Sequence, residues 1–137
     1  RYIIPREADR LSMYKRIALI SSRDDVYDVQ DELIDRYGDI PKETESLINI
    51  ALLKAEASRA YVTQLSVRDG EIRFVFDRGA PLDGGKLVSV AGKVDGAQLV
   101  YSDTPALIIR RPRSDAQTLY GMLPQFVYML VDCVIVQ

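Results

Sequence analysis

Residues 63–76 read TQLSVRDGEIRFVF, and their alternating pattern around one turn indicates the fold class of the second half of the chain. The pair Asp69-Gly70 suits a two-residue type I′ turn, which needs positive φ at both positions. Pairing outward from that turn sets Val67 opposite Ile72, and the other apolar side chains of the stretch alternate onto the same face. The stretch therefore predicts an antiparallel hairpin with one half-buried face.

The rest of the second half predicts another hairpin and a terminal helix. Apolar-rich segments at 99–101 and 106–110 indicate two strands joined across residues 102–105. Ser114 followed by Gln117 has the capping-box pattern, which is typical of a helix start. Pro124 lies inside that helical pattern, so we expect a kink or a break there, because proline removes one hydrogen bond and crowds the preceding turn.

The first half, to about residue 60, has the periodicity of helices over 6–21 and 23–37, and Pro41 indicates the first turn of a third. Ser22 is expected to cap the second helix and Gly38 to end it. We predict an α+β fold, with N-terminal helices packed with an antiparallel sheet of hairpins and a C-terminal helix. One domain over 1–137 is expected, with a helical part at 1–60 and a hairpin part at 61–137. The second helix carries one apolar stripe that is predicted to face the core: Val26, Val29, Leu33, Ile34 and Tyr37.

The composition argues against an autonomous enzyme. The chain has no histidine, the residue most used for general acid–base catalysis and zinc ligation, and Cys133 is its only cysteine. The segment 83–86, DGGK, lacks the spacing of a phosphate-binding loop and is interpreted as a turn. The type of the segment 86–94 that follows is left open between helix and strand, with a short helix favoured. We expect no catalytic residue, cofactor or metal site here. No apolar run is long enough to span a membrane, and a chain that starts at Arg1 is interpreted as a piece of a longer protein.

Acidic residues gather on one face of the second helix. At about 100° per residue, four aspartates form a stripe opposite the apolar one. Glu32 and Arg36 flank this stripe, four residues apart and able to pair. The stripe is interpreted either as a solvated face or as a docking surface for a basic partner, where charge complementarity sets orientation. Its members are Asp24, Asp28, Asp31 and Asp35.

Basic residues gather only at Arg110, Arg111 and Arg113. Eighteen basic residues against twenty acidic ones leave no overall basic excess, which argues against a free-standing nucleic-acid binder. A solvated strand end is the favoured interpretation of the three arginines. Contact with nucleic-acid phosphate is the alternative.

Two segments of the first half resemble the bacterial transcription-repair coupling factors (Mfd). Residues 10–18, RLSMYKRIA, resemble the RLxxYKRIA segment of that family. Residues 32–38, ELIDRYG, followed by Ile40-Pro41, resemble its ELxDRFGxxP segment, and residues 2–5, YIIP, resemble its lead-in. The resemblance extends over the chain as the C-terminal domain of that family, with its motifs in residues 2–55.

The resemblance implies a regulatory part of a multidomain protein of the bacterial cytoplasm. Such a protein is an ATP-dependent DNA translocase that displaces stalled RNA polymerase and recruits the repair protein UvrA. Its motor, with ATP and magnesium, lies upstream. The C-terminal domain docks on the N-terminal UvrB-like module and masks the UvrA-binding surface. The family's docking residues correspond to Glu32, Asp35 and Arg36, and Arg36 is expected to orient Glu32.

Overall fold

The computed structural model describes residues 7–136, so the YIIP segment at 2–5 and the predicted helix start at 6 lie outside the described residues. Five helices and one four-stranded antiparallel sheet are present in 7–136, which confirms the α+β class. The chain divides into two compact units, with the boundary between residues 55 and 56. The elements are α1 (Glu7–Ala18), α2 (Arg23–Tyr37), α3 (Lys42–Ser58), β1 (Val62–Arg68), β2 (Glu71–Phe76), α4 (Gly84–Lys93), β3 (Ala97–Tyr101), β4 (Pro105–Arg110) and α5 (Ala116–Val131).

The N-terminal unit has a helical core to which α1, α2 and α3 all contribute. The prediction that Ile34 belongs to this core is wrong, because its side chain is 50% exposed. Ile34 follows the buried Leu33 by about 100° around the helix, which turns it out of the buried arc. The buried residues of this core are Met13, Ile17, Ile20, Val26, Val29, Leu33, Tyr37, Ile48 and Leu52.

The start of α2 is held by a side-chain cap, as predicted. Ser22 has extended backbone angles, and its Oγ accepts a hydrogen bond from the Asp25 amide at 3.2 Å. In return, the Asp25 carboxylate accepts from both the amide and the hydroxyl of Ser21, each at 2.9 Å. The Ser21 amide, followed by its hydroxyl, lowers the pKa of Asp25, because these bonds favour the charged carboxylate. The first turn of α2 is therefore satisfied from outside the helix.

Replacing Ser22 by alanine is expected to destabilise the chain by about 1 kcal/mol, because the Asp25 amide loses its acceptor. The free energy of unfolding is measured by urea titration with circular dichroism. Ser46→Ala, at an exposed site within α3, is the control and is expected to change stability by less than about 0.5 kcal/mol. Equal stability of the two variants would show that the cap contributes nothing.

The C-terminal end of α2 agrees with the prediction, whereas the start of α3 differs slightly from it. The amide of Gly38 donates to the carbonyl of Ile34 at 2.9 Å and ends α2 as expected. Pro41, expected in the first turn of the third helix, instead precedes it, since α3 begins at Lys42. The Pro41 carbonyl accepts from the Glu45 amide at 3.0 Å, so proline occupies the capping position.

The sheet has the strand order β1-β2-β4-β3 and confirms both hairpins. Arg68 pairs with Glu71 around the first turn, where Asp69 and Gly70 have φ values of 51° and 73°. Positive φ at both positions is what a type I′ turn requires. In the second hairpin, β3 begins at residue 97, two residues before the predicted start at 99.

One face of the sheet forms the core of the C-terminal unit. Cross-strand partners share a face, so Ile72 lies beside Ile109, and Phe74 lies between its partners on β1 and β4. Contacts of α5 with β1 and of α4 with β3 and α5 complete this unit. The largest fully buried side chains of the unit are Phe74, Phe76, Ile72, Leu107, Ile109, Leu119, Leu123, Leu130 and Cys133.

The terminal helix corrects the predicted cap and excludes a break at Pro124, which was one of the two outcomes expected there. Its cap is Asp115 rather than Ser114, because the Asp115 carboxylate accepts from the Thr118 amide at 2.8 Å and this bond lowers its pKa. No break occurs at Pro124, which lies within a continuous helix. Five buried apolar residues on both sides of the proline hold the helix together despite the lost hydrogen bond: Leu119, Leu123, Phe126, Val127 and Leu130.

The segment before β3 forms a turn and a short helix, and the segment after α5 forms an isolated bridge. Residues 84–93 form α4, capped by Asp83, whose carboxylate accepts from the Lys86 amide at 3.1 Å. The DGGK segment is thus the turn that was predicted, and the favoured short helix begins within it. After α5, Val134 pairs with Leu82 in an isolated antiparallel bridge. Among residues 7–136, no helix is both long and apolar enough to cross a membrane.

Candidate docking site

The exposed face of α2 carries a stripe of unneutralised acidic residues. All four of its aspartates are exposed, and among residues 7–136 none has a basic group within 4.0 Å. Carboxylates at these helical spacings repel one another by a few tenths of a kcal/mol per pair. The stripe is therefore available for a basic partner. It consists of Asp24, Asp28, Asp31 and Asp35.

Glu32 and Arg36 beside this stripe are paired with α1. The Glu32 carboxylate lies 3.8 Å from Arg16 Nε, and the Arg36 guanidinium lies 3.9 Å from the Asp9 carboxylate. The expectation that Arg36 pairs with Glu32 is wrong, because α1 packs alongside α2 and brings an opposite charge to each of them. Arg36 also lies over the ring of Tyr37, with 5.3 Å between the guanidinium carbon and the ring centroid.

These two ion pairs are partly solvated. The side chains of Arg16 and Glu32 are 37% and 44% exposed, and those of Arg36 and Asp9 are 52% and 42% exposed. Exposed ion pairs of this kind contribute about 0–1 kcal/mol each, so they orient side chains more than they stabilise the fold. The orientations of the Glu32 and Arg36 side chains are therefore set by α1.

Two large apolar side chains lie on the other side of the acidic stripe. Tyr27 is 58% exposed and Ile34 is 50% exposed. Sequence reasoning missed this pair, because it assigned Ile34 to the buried stripe and did not single out Tyr27. The signal that identifies them is their spacing, since residues seven apart lie on one line of a helix and Leu33 already fills the buried position beside Ile34.

The three clustered arginines have different partners. Arg110 donates through Nη1 to the Gln98 side-chain oxygen at 2.7 Å, and its Nε lies 3.6 Å from the Glu71 carboxylate. Arg111 donates through Nε to the carbonyl of Asp95 at 2.9 Å, whereas Arg113 is exposed in the turn after β4. Phosphate contact by the three arginines stays a prediction.

The remaining surface offers an apolar depression between α1 and α3. Its volume is about 490 Å³, and Tyr14, Ile17, Leu47, Ile50 and Lys54 are among its lining residues. Its lining is otherwise apolar apart from the Tyr14 hydroxyl and the charged Lys54, so it is suited to apolar contacts. Within residues 7–136, no three His, Cys, Asp or Glu side chains converge as metal ligands.

Comparison with known proteins agrees with the motifs in the first half of the chain. The family model of the transcription-repair coupling factor (TRCF) domain matches residues 1–87 of this chain. The transcription-repair-coupling factor of Myxococcus xanthus is 37% identical over 133 residues, which cover 93% of this chain and 11% of that protein. The factor of Bacillus subtilis is 30% identical over 86 residues, which cover 61% of this chain and 7% of that protein.

A solved structure has the same fold. The crystal structure of the C-terminal domain of a transcription-repair coupling factor superposes with a TM-score of 0.77 at 19% identity, covering 96% of this chain and 88% of that one. The chain spans only 7–11% of the length of the two relatives above. Because the TRCF domain model covers more than half of its residues, this chain belongs to the transcription-repair coupling factor family.

Proposed function

We propose that this chain is an autoinhibitory domain that docks on the N-terminal UvrB-like module of its parent protein and masks the UvrA-binding surface there. The observation that carries the proposal is the exposed acidic stripe of α2, which has no basic partner among residues 7–136. Asp35 belongs to this stripe, and Glu32 and Arg36 border it. These three residues are also the ones that the family resemblance assigns to docking.

The weakness of the individual contacts suits a contact that has to open. Solvated ion pairs contribute about 0–1 kcal/mol each, so several of them give orientation and a reversible complex. Glu32 and Asp35 would pair with lysines or arginines of the module. Arg36, held by Asp9 at 3.9 Å, would reach an acidic residue across the interface.

The parent protein supplies the chemistry in this proposal. The family membership supports a parent that uses ATP and magnesium in upstream motor domains, moves along DNA and displaces stalled RNA polymerase in the bacterial cytoplasm. The domain itself contributes regulation rather than catalysis. Its link to UvrA, RNA polymerase and DNA is indirect, through the parent.

The test is a charge reversal in the full-length parent protein. Glu32→Lys combined with Asp35→Lys places cations against the proposed basic surface, and like charges across an interface cost several kcal/mol. We expect UvrA to bind the double variant at least about tenfold more tightly than the unaltered protein when RNA polymerase is absent, as measured by surface plasmon resonance.

The matched control is Glu43→Lys combined with Glu45→Lys, two exposed acidic residues in the first turn of α3. This pair changes the net charge equally but lies outside the α2 face, so UvrA affinity is expected to stay at the unaltered value. Equal UvrA affinity of the Glu32/Asp35 variant and the unaltered protein, with folding verified by circular dichroism, would refute the autoinhibitory contact.

A further inference from the structure

The exposed side of α2 combines the acidic stripe with an apolar pair. Tyr27 and Ile34 are separated by seven residues, which is about 10.5 Å along the helix axis and about 20° around it. Their side chains are 58% and 50% exposed. The acidic stripe begins about 40° from Tyr27 around the same helix. The acidic stripe and the apolar pair therefore fit under one partner surface.

The helical core does not need this pair. Val26, Val29, Leu33 and Tyr37 make the buried contacts of α2 and are 0–7% exposed. Single exposed apolar residues are ordinary on protein surfaces. Two large apolar side chains that are aligned beside unneutralised charges have instead the composition of an interface. In an interface, central aromatic or aliphatic anchors are surrounded by polar residues.

Charge determines what kind of surface covers the pair. The four aspartates of the stripe have no basic group within 4.0 Å among residues 7–136, so a basic partner would relieve their mutual repulsion. Glu32 and Arg36 already have opposite charges beside them on α1. Glu32 and Arg36 therefore lie at the edge of the docking surface nearest α1, and the aspartates and the apolar pair make up the rest of it.

We propose that Tyr27 and Ile34 are the apolar anchors of the docking surface, and that the surface they bind is basic and has two apolar sockets about 10 Å apart. This inference rests on the proposed function, because the same face of α2 is used. It adds that the sockets provide most of the affinity, whereas the aspartates orient the partner and speed up association.

The experiment titrates the 137-residue chain against the N-terminal UvrB-like module of its parent, with the dissociation constant measured by isothermal titration calorimetry. Tyr27→Ser and Ile34→Ser are each expected to raise the dissociation constant at least about tenfold, at both 50 mM and 500 mM salt. Asp31→Asn combined with Asp35→Asn is expected to raise it at 50 mM salt and to have little effect at 500 mM, because salt screens exposed charges.

Two control variants remove apolar side chains elsewhere that are more exposed than the tested pair. Tyr128→Ser removes a side chain that is 80% exposed on α5, and Leu19→Ser removes one that is 73% exposed after α1. Neither is expected to change the dissociation constant more than about twofold. Circular dichroism of each variant confirms that the helices are retained.

The outcomes separate this inference from the proposed function. If the unaltered chain does not bind the module, the proposed function and the inference both fail. If it binds, and the aspartate variant weakens binding while the serine variants do not, the docking face stands and the anchors are refuted. If neither kind of variant weakens binding, another face docks and both statements about α2 are refuted. Weakening by both kinds, with unchanged controls, supports the anchors.

Discussion

Replacing Phe74 by alanine is expected to lower the free energy of unfolding by about 3–5 kcal/mol, the largest effect anticipated for a single side chain here. Phe74 has 0% exposure and lies in β2 between Leu65 of β1 and Leu107 of β4. Its removal loses buried apolar area and leaves a cavity, because neighbouring strands joined by hydrogen bonds cannot close around the gap. Urea titration with circular dichroism measures the change.

Val88→Ala is the control for this substitution. Val88 lies on α4 and is 60% exposed, so its truncation is expected to change stability by less than about 0.5 kcal/mol. A loss of less than about 1 kcal/mol for Phe74→Ala would contradict the assignment of this residue to the centre of the core.

Replacing Gly96 by alanine is expected to cost at least about 2 kcal/mol, for a reason that lies in the backbone. Gly96 has a φ of +79°, which residues with a Cβ rarely adopt. A Cβ at this position would also overlap the carbonyl oxygen of Arg110, because the chain passes close to the end of β4 where Gly96 accepts from the Arg110 amide at 2.9 Å. The free energy of unfolding is again the measurement.

Gly121→Ala tests the same chemical change where the backbone tolerates it. Gly121 lies in the middle of α5, with nothing within 4 Å of a Cβ built there. Alanine is the better helix former, so this variant is expected to be about 0.5–1 kcal/mol more stable than the unaltered chain. If Gly96→Ala were equally well tolerated, the close approach to β4 would not constrain the fold.

Local signals predicted most of the secondary structure. Asp69-Gly70 determined the register of β1 against β2 from Gln64 to Arg68, because a two-residue turn leaves only one pairing of the residues next to it; a register shift between Val62 and Gln64 changes the pairing beyond that point. Ser22 marked the start of α2 for a similar reason, since its side chain satisfies an amide three residues away. Such signals involve neighbours in the chain and do not depend on how the elements pack.

Predictions that depended on competing partners were less accurate. Ser114 matched the capping pattern, but Asp115 provides the cap in the structure. Helical spacing allowed Glu32 to pair with Arg36, but α1 places Arg16 and Asp9 beside them instead. In both cases the sequence contains two acceptable partners, and packing selects one of them.

Sequence patterns alone were enough to predict the α+β class, both hairpins and the second helix with its cap. They also indicated the family, through motifs that lie close together in residues 2–55. They further located the acidic stripe, because helical periodicity alone places the aspartates on one face. All of these follow from interactions between residues a few positions apart. None requires the position of a second helix.

Packing against the other helices determines which side chains of α2 stay exposed and which of its charges stay unneutralised. The core of the N-terminal unit needs one apolar arc of α2, and Val26, Val29 and Leu33 supply it, so Ile34 stays at the surface beside the aspartates. Packing of α1 neutralises Glu32 and Arg36 but leaves the stripe without a basic group within 4.0 Å among residues 7–136. Burial and ion pairing depend on what lies across from a helix, and periodicity along one chain segment does not contain that information.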